Sequence, residues 1–257
     1  VGHAERAPDY WELVSKESAT SLSAFETRPE KTTQLDAGVL YRRGAVSGSV
    51  SMFVNHLTDF LLIQSNYPKR STTMGTDLMD GGMSGGVSGG MGERKATITR
   101  NVDASSWGGE ATLGWEATKR LKLDASVAYV QGQNDTDHLP LAQLPPLEAR
   151  LGLQYSTDRW SIGTLTRLVS GQERFALDQG NIVGQDLGPT ASFGVFSLNG
   201  AWHFTRRLHL TLGVDNLFDT TYAESISRSG ADLPGFTTTT RVNEPGRMLW
   251  LKLALLY

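Results

Sequence analysis

The chain has 257 residues, with 24 basic and 27 acidic side chains, a formal net charge of −3 and no cysteine. Interspersed charge of this kind offers no basic field to nucleic acid, and the lack of cysteine removes disulfides, thiolate metal sites and thiol nucleophiles. No window approaches the roughly 18 consecutive apolar residues of a spanning helix, and the mean hydropathy is negative; a membrane β-barrel stays open, because its strands alternate and give a weak signal per segment.

The N-terminal stretch GHAERAPDYWEL is polar, with no basic then apolar leader before it, so a mature or truncated product is expected. From there several segments share a period of two, the mark of strands with unlike faces. QLDAGVLY places Leu35, Ala37, Val39 and Tyr41 against Gln34, Asp36 and Gly38. A second strand is expected to run up to about Gln64. EATLGWE places Ala111, Leu113 and Trp115 against Glu110, Thr112 and Gly114, and LKLDASVAY places Leu121, Leu123, Ala125, Val127 and Tyr129 against Lys122, Asp124 and Ser126. LEARLGLQY, LHLTLGVD and LWLKLALLY repeat the pattern, the last with Leu249, Leu251, Leu253, Leu255 and Tyr257 on one face.

The connections alternate as well. Short polar turns fall at Arg43-Gly44, Thr118 to Arg120, Ser156 to Arg159 and Thr205 to Arg207, and long stretches at about 9–29, 66–95, 132–144, 171–190 and 223–243. Short turns on one side and long loops on the other are the pattern of an outer-membrane barrel, with the long loops extracellular. About ten strands are counted. A soluble sandwich also alternates, but it has no reason to gather its long loops at one end. Tyr41, Trp115, Tyr129, Tyr155, Trp202, Phe204 and Tyr257 lie on or near the apolar faces, as interfacial girdles would require.

The segment MGTDLMDGGMSGGVSGGM, residues 74–91, has a glycine- and serine-rich composition that expects a flexible loop, and it carries four of the six methionines. Thioethers are soft ligands that select Cu(I). Met74, Met79, Met83 and Met91 are therefore the candidate metal ligands, with Asp77, Asp80 and Glu93 nearby; the plain alternative is a spacer whose methionines are incidental. His56, His138 and His209 stand apart without metal-site spacing, His138 beside Asp135 and Asp137, and His209 expected on the polar wall near a short turn. No G-x-S-x-G, H-E-x-x-H or P-loop is present, so no enzyme is expected and no catalytic or tightly bound cofactor residues are assigned.

LTLGVDNLFDTTYAE (210–224) and NEPGRMLWLKLALLY (243–257) resemble the C-terminal end of TonB-dependent outer-membrane receptors. The matching positions are Val214, Asn216, Leu217, Phe218, Asp219 and Tyr222, then Glu244, Pro245, Gly246 and Arg247; the terminal Tyr257 stands where that family more often has Phe or Trp. ERAPDYWEL, RPEKTTQLDAG, VSMFVNHLTDFL and NVDASSWGGE fit the barrel half of such receptors in the expected order. The resemblance implies an all-β transmembrane barrel in the outer membrane of a Gram-negative bacterium. This chain would supply about ten C-terminal strands of a 22-stranded barrel, without the plug domain through which TonB, ExbB and ExbD drive import. Outer-membrane lipid and lipopolysaccharide would surround it. PEKTTQLDAG, the methionine loop, LPPLEARLGL and FGVFSLNGA look most like the copper receptors of the family, with copper as transported ligand. A ferric-siderophore or corrinoid receptor of the same fold is the alternative, which Arg174, Phe175 and Phe236 leave open, and a structural or adhesive surface β-protein is the alternative of another class.

Overall fold

Alternation puts the apolar residues of a segment on one side of a pleated strand, and the register between strands then decides whether those sides line up. The computed structural model describes residues 1–13, 27–69, 94–181, 184–205, 207–230, 234–235 and 237–255. Its strands are β1 (Gly2–Arg6), β2 (Glu30–Arg43), β3 (Val46–Lys69), β4 (Arg94–Trp115), β5 (Leu121–Asn134), β6 (Leu139–Pro140), β7 (Glu148–Ser156), β8 (Trp160–Val169), β9 (Gln179–Gly180), β10 (Phe193–His203), β11 (Leu208–Asp215) and β12 (Met248–Leu255), with one short helix, α1 (Tyr10–Leu13). They form a single antiparallel sheet in the order β1, β2, β3, β4, β5, β7, β8, β10, β11, β12, with β6 beside β5 and β9 beside β3. The sheet is open, so β1 and β12 each have one neighbour.

The registers align the apolar faces without a break. One row runs Val39, Val50, Ala111, Val127, Ala149, Leu168, Gly194 across seven strands, and another runs Leu198, Val214, Leu249. No second layer covers this face among the described residues: Val39 is 70% exposed and Leu249 78%. A soluble sandwich would bury such a surface against another sheet; a membrane barrel turns it to lipid.

The height of the apolar band follows from its ends. Tyr41, Trp115, Tyr155, Trp160, Trp202 and Phe204 rim the short-turn end, and Trp107 and Tyr129, with ring centroids 5.7 Å apart, mark the other. Trp107 to Trp115 is about 27 Å along a strand at ~3.4 Å per residue, or about 20 Å at the usual barrel tilt, near the ~25 Å expected. Beyond Trp107 the same face turns polar, in the row His3, Thr33, His56, Ser105, Gln133.

The short connections β2–β3, β4–β5, β7–β8 and β10–β11 lie at one end. The tightest joins Arg43 to Val46, with Gly44 at φ 56° in the primed geometry that matches strand twist. At the far end β3 and β4 extend beyond the alternating segments, so the stretch between them narrows to residues 70–93. Two bulges in β3, at positive-φ Asp59 and Asn66, bend the strand as it leaves the apolar band. The two-residue strands β6 and β9 fall within stretches read from sequence as irregular, since two residues show no period. The buried apolar side chains Leu61, Leu62, Val102, Leu141, Val169 and Ala176 gather here, where the long connections fold over the sheet.

Candidate functional site

The polar face carries the chemistry. Arg167 on β8 reaches Glu148 on β7, with Nη2 2.6 Å from Oε2, and pairs with Glu224 in the connection before β12. Glu148 also pairs with Arg150. The Arg167 guanidinium lies 5.4 Å from the ring centroid of Phe193, which stacks on Tyr222 at 4.3 Å. Strand, neighbouring strand and C-terminal connection are thereby joined by charge-assisted bonds and ring contacts. Beside this network lies a concavity of about 660 Å³, lined by Phe53, Glu110, Thr112, Ser126, Glu148 and Arg150 among others. It presents carboxylates and a guanidinium to the polar side of the sheet.

The long-loop end is braced from residues far apart in sequence. Ser65 N donates to Asp178 O at 2.8 Å, Asn66 Nδ2 to Asp178 Oδ1 at 2.8 Å, and Gln185 Nε2 to Ser65 Oγ at 2.6 Å. The stem of the methionine segment is thus tied to the 171–190 connection, whose β9 pairs with Ile63 and Gln64 of β3. Asp186 accepts from Ala176 N and Gln143 N, both at 2.9 Å, while Arg241 donates to Gly188 O at 2.5 Å and Pro189 O at 3.2 Å. Burial pushes the Asp186 carboxyl up, against those backbone donors and the Arg241 charge, and burial pulls the Arg241 guanidinium down. A second concavity of about 430 Å³ opens near the stem, lined by Trp11, Thr97, Thr99, Gln185 and Arg228 among others.

Met74, Met79, Met83 and Met91 lie outside the described residues, as do Asp77, Asp80, Glu93, Phe236 and Tyr257. His56 sits exposed in the polar row above the apolar band. His138 is exposed at φ 58° in the β5–β6 turn, and its acidic neighbours are engaged elsewhere: Asp137 by Arg100 and Asn134, Asp135 by Ser105. Among the described residues no group of three or more His, Asp or Glu is placed to hold a metal. Arg174 is exposed, its Nη2 3.4 Å from Gly132 O, with Phe175 half-buried next to it.

His209 lies on the polar wall, and it faces His203, a residue that alternation alone did not single out. The two Nδ1 atoms are 2.6 Å apart. The signal was available, since the turn expected from sequence at Thr205 to Arg207 sets 203 and 209 at equal distances from its centre, and the two are opposite one another.

The two motifs of the C-terminal segments meet. Asn216, 3% exposed at φ 50°, bonds Thr220 through both ends of its amide and reaches Pro245 O at 3.4 Å. Asp219 Oδ1 accepts from Arg247 N at 2.7 Å, and Glu244 N donates to Tyr222 O at 2.9 Å. Their work is to close the long β11–β12 connection.

A family model described as TonB dependent receptor-like, beta-barrel, matches residues 1–217. Among solved structures, the copper transporter OprC is 41% identical with a TM-score of 0.83, covering 99% of this chain and 36% of that one. The ferric enterobactin receptor PfeA of Pseudomonas aeruginosa is 19% identical with a TM-score of 0.69, covering 98% and 37%. The FrpB iron transporter of Neisseria meningitidis is 18% identical with a TM-score of 0.58, covering 91% and 32%. The latter two share the fold; the chain spans about a third of the length of all three. No match is found among curated protein sequences. With an open, single-layer sheet that is apolar on one face and charged on the other, and a family match over residues 1–217, the chain belongs to the TonB-dependent receptor β-barrel family.

Proposed function

We propose that the chain is the C-terminal part of the wall and surface loops of an outer-membrane active-transport receptor that admits copper. The observation that carries this reading is the 41% identity to a copper transporter over 99% of the chain, about twice the identity to the ferric enterobactin receptor. Unpaired strand edges are not tolerated in lipid, so β1 and β12 would be completed by further strands of the receptor. Coupling to TonB, ExbB and ExbD would run through the plug region, with the present chain supplying wall and loops. The methionine segment would gather copper ions at the outer surface through its thioethers, on a stem held by Asp178 and Gln185. The work is transport, with no covalent step assigned to any residue. A ferric siderophore is the second reading, favoured by the fold shared with PfeA and by the exposed cation of Arg174.

The test is copper uptake by the full-length receptor, parent against a variant with Met74, Met79, Met83 and Met91 all changed to Leu. Loss of uptake at low copper with normal membrane insertion supports capture by the loop. Unchanged copper uptake makes the segment a spacer, and no copper import by the parent removes the copper reading.

A further inference from the structure

We propose that His203 and His209 form a two-imidazole site for a late transition-metal ion at the short-turn end of the polar face. The argument begins with the hairpin. β10 and β11 pair so that His203 stands directly opposite His209. The backbone N–H of His203 points away from β11, to Arg159 O at 2.8 Å, while Phe204 N bonds Leu208 O. His203 and His209 are therefore a pair without backbone bonds between them, the position at which facing side chains approach most closely.

The rings use that proximity. Their Nδ1 atoms are 2.6 Å apart, their centroids 4.5 Å apart and their planes at 85°. Two ring nitrogens can meet at this distance by sharing a proton, or both can turn their lone pairs on one cation. Metal–nitrogen bonds of about 2.0–2.1 Å in tetrahedral geometry set the two nitrogens about 3.3 Å apart. The rings would part by less than about 1 Å, a small rotation for side chains of which His203 is exposed and His209 half-buried. On the same face Ala254 stands opposite His209 on β12 and Ala201 opposite Ser161 on β8, while Lys252 stands opposite Thr211 one pair further along and Arg159 is the backbone partner of His203.

Imidazole suits copper and zinc, and excludes the hard alkaline-earth ions. No third His, Asp or Glu completes a cluster among the described residues, and water or a ligand carried by the ion could take the remaining positions. A site with two protein ligands holds its ion loosely. It lies at the end of the wall opposite the strand ends Lys69 and Arg94 that carry the methionine segment, and as a way station for copper passing inward it rests on the copper-import reading; as a metal site it rests on the pair alone.

The experiment uses the purified full-length receptor titrated with Cu(II) alone and read by electron paramagnetic resonance and bound-metal stoichiometry, for the parent, His203→Asn and His209→Asn. The parent is expected to bind one equivalent whose spectrum shows coupling to two nitrogens, and each single variant to lose that equivalent while keeping the heat-modifiable migration of a folded barrel. Equal stoichiometry and spectrum in all three proteins overturns the site. Copper uptake separates the two readings. A His-dependent equivalent in a receptor that imports no copper upholds the site and removes import, and import by a receptor whose spectrum ignores both histidines does the reverse. Lower uptake in the His variants supports the way station; unchanged uptake with the equivalent lost overturns that role and leaves the site.

Discussion

The indole of Trp250 lies across Gly213 on the neighbouring strand, its Cζ2 and Cε2 standing where a Cβ at 213 would have to go. The same ring donates Nε1–H to Asp215 Oδ2 at 3.0 Å, which fixes its orientation along the polar wall. Gly213→Ala is expected to lower stability by about 1–3 kcal/mol, the range for overpacking. Trp250→Phe removes the obstructing atoms, so the double variant should show a smaller alanine penalty than the single one. Urea midpoints of the full-length receptor read the cycle; an equal penalty in both backgrounds would count against the contact.

Asn216 serves the β11–β12 connection with its side chain and with a backbone conformation that Asn tolerates better than most residues. Asn216→Ala loses both and is expected to cost about 2–4 kcal/mol, from unpaired buried polar groups and an unfavourable positive φ. Asn216→Gly restores only the backbone and should recover part of the loss. Fractions of folded receptor after refolding distinguish these outcomes, and equal behaviour of the two variants would assign the whole cost to the amide.

The two faces of β5 make opposite forecasts for one substitution. Val127 lies opposite Ala111, midway between Trp107 and Trp115, on the apolar face, and Ser126 points to the polar concavity. Val127→Arg is expected to cost about 2–4 kcal/mol in lipid. Ser126→Arg, directly opposite Arg150 but with Glu110 and Glu148 lining the same concavity, should cost less, since the polar side offers it water and counter-charge. Folding yields into bilayers check the contrast; comparable losses would reverse the assignment of the faces.

Asp137 gives the β5–β6 hairpin an acid-sensitive anchor. The Arg100 guanidinium grips its carboxylate from two nitrogens and Asn134 Nδ2 donates at 2.7 Å, and the Arg100 bond holds its carboxyl below the usual Asp range against the effect of burial. A depressed folded value means that the stabilisation is complete above the unfolded value of about 3.9 and is lost as pH falls through the folded one. Hydrogen exchange over residues 132–140, corrected for intrinsic rates, should be constant from about pH 8 to 5 and rise below about 4. Asp137→Asn should remove that acid step; an identical step in the variant would place its origin elsewhere.

Much of the wall was legible in the sequence. Val39, Val127 and Leu151 announce their face by a period of two, because pleating is local and each strand declares its two sides within a few residues. The spacing of Arg43-Gly44 and Thr205 to Arg207 likewise places short turns at one end, and the Asn-Leu-Phe-Asp and Glu-Pro-Gly-Arg segments resemble one family strongly enough to name it. Other features answer to register and to connections folding back. Asn66 finds Asp178 at a separation of 112 residues, Arg167 finds both Glu148 and Glu224, and β9 lies against β3. The pairing of His203 with His209 was within reach of turn symmetry, but a shift of one residue would have sent the two rings to opposite faces. Local periodicity determined which side of each strand is apolar; only the assembled sheet decided which polar groups stand together, because that depends on hydrogen-bond register between strands distant in the chain.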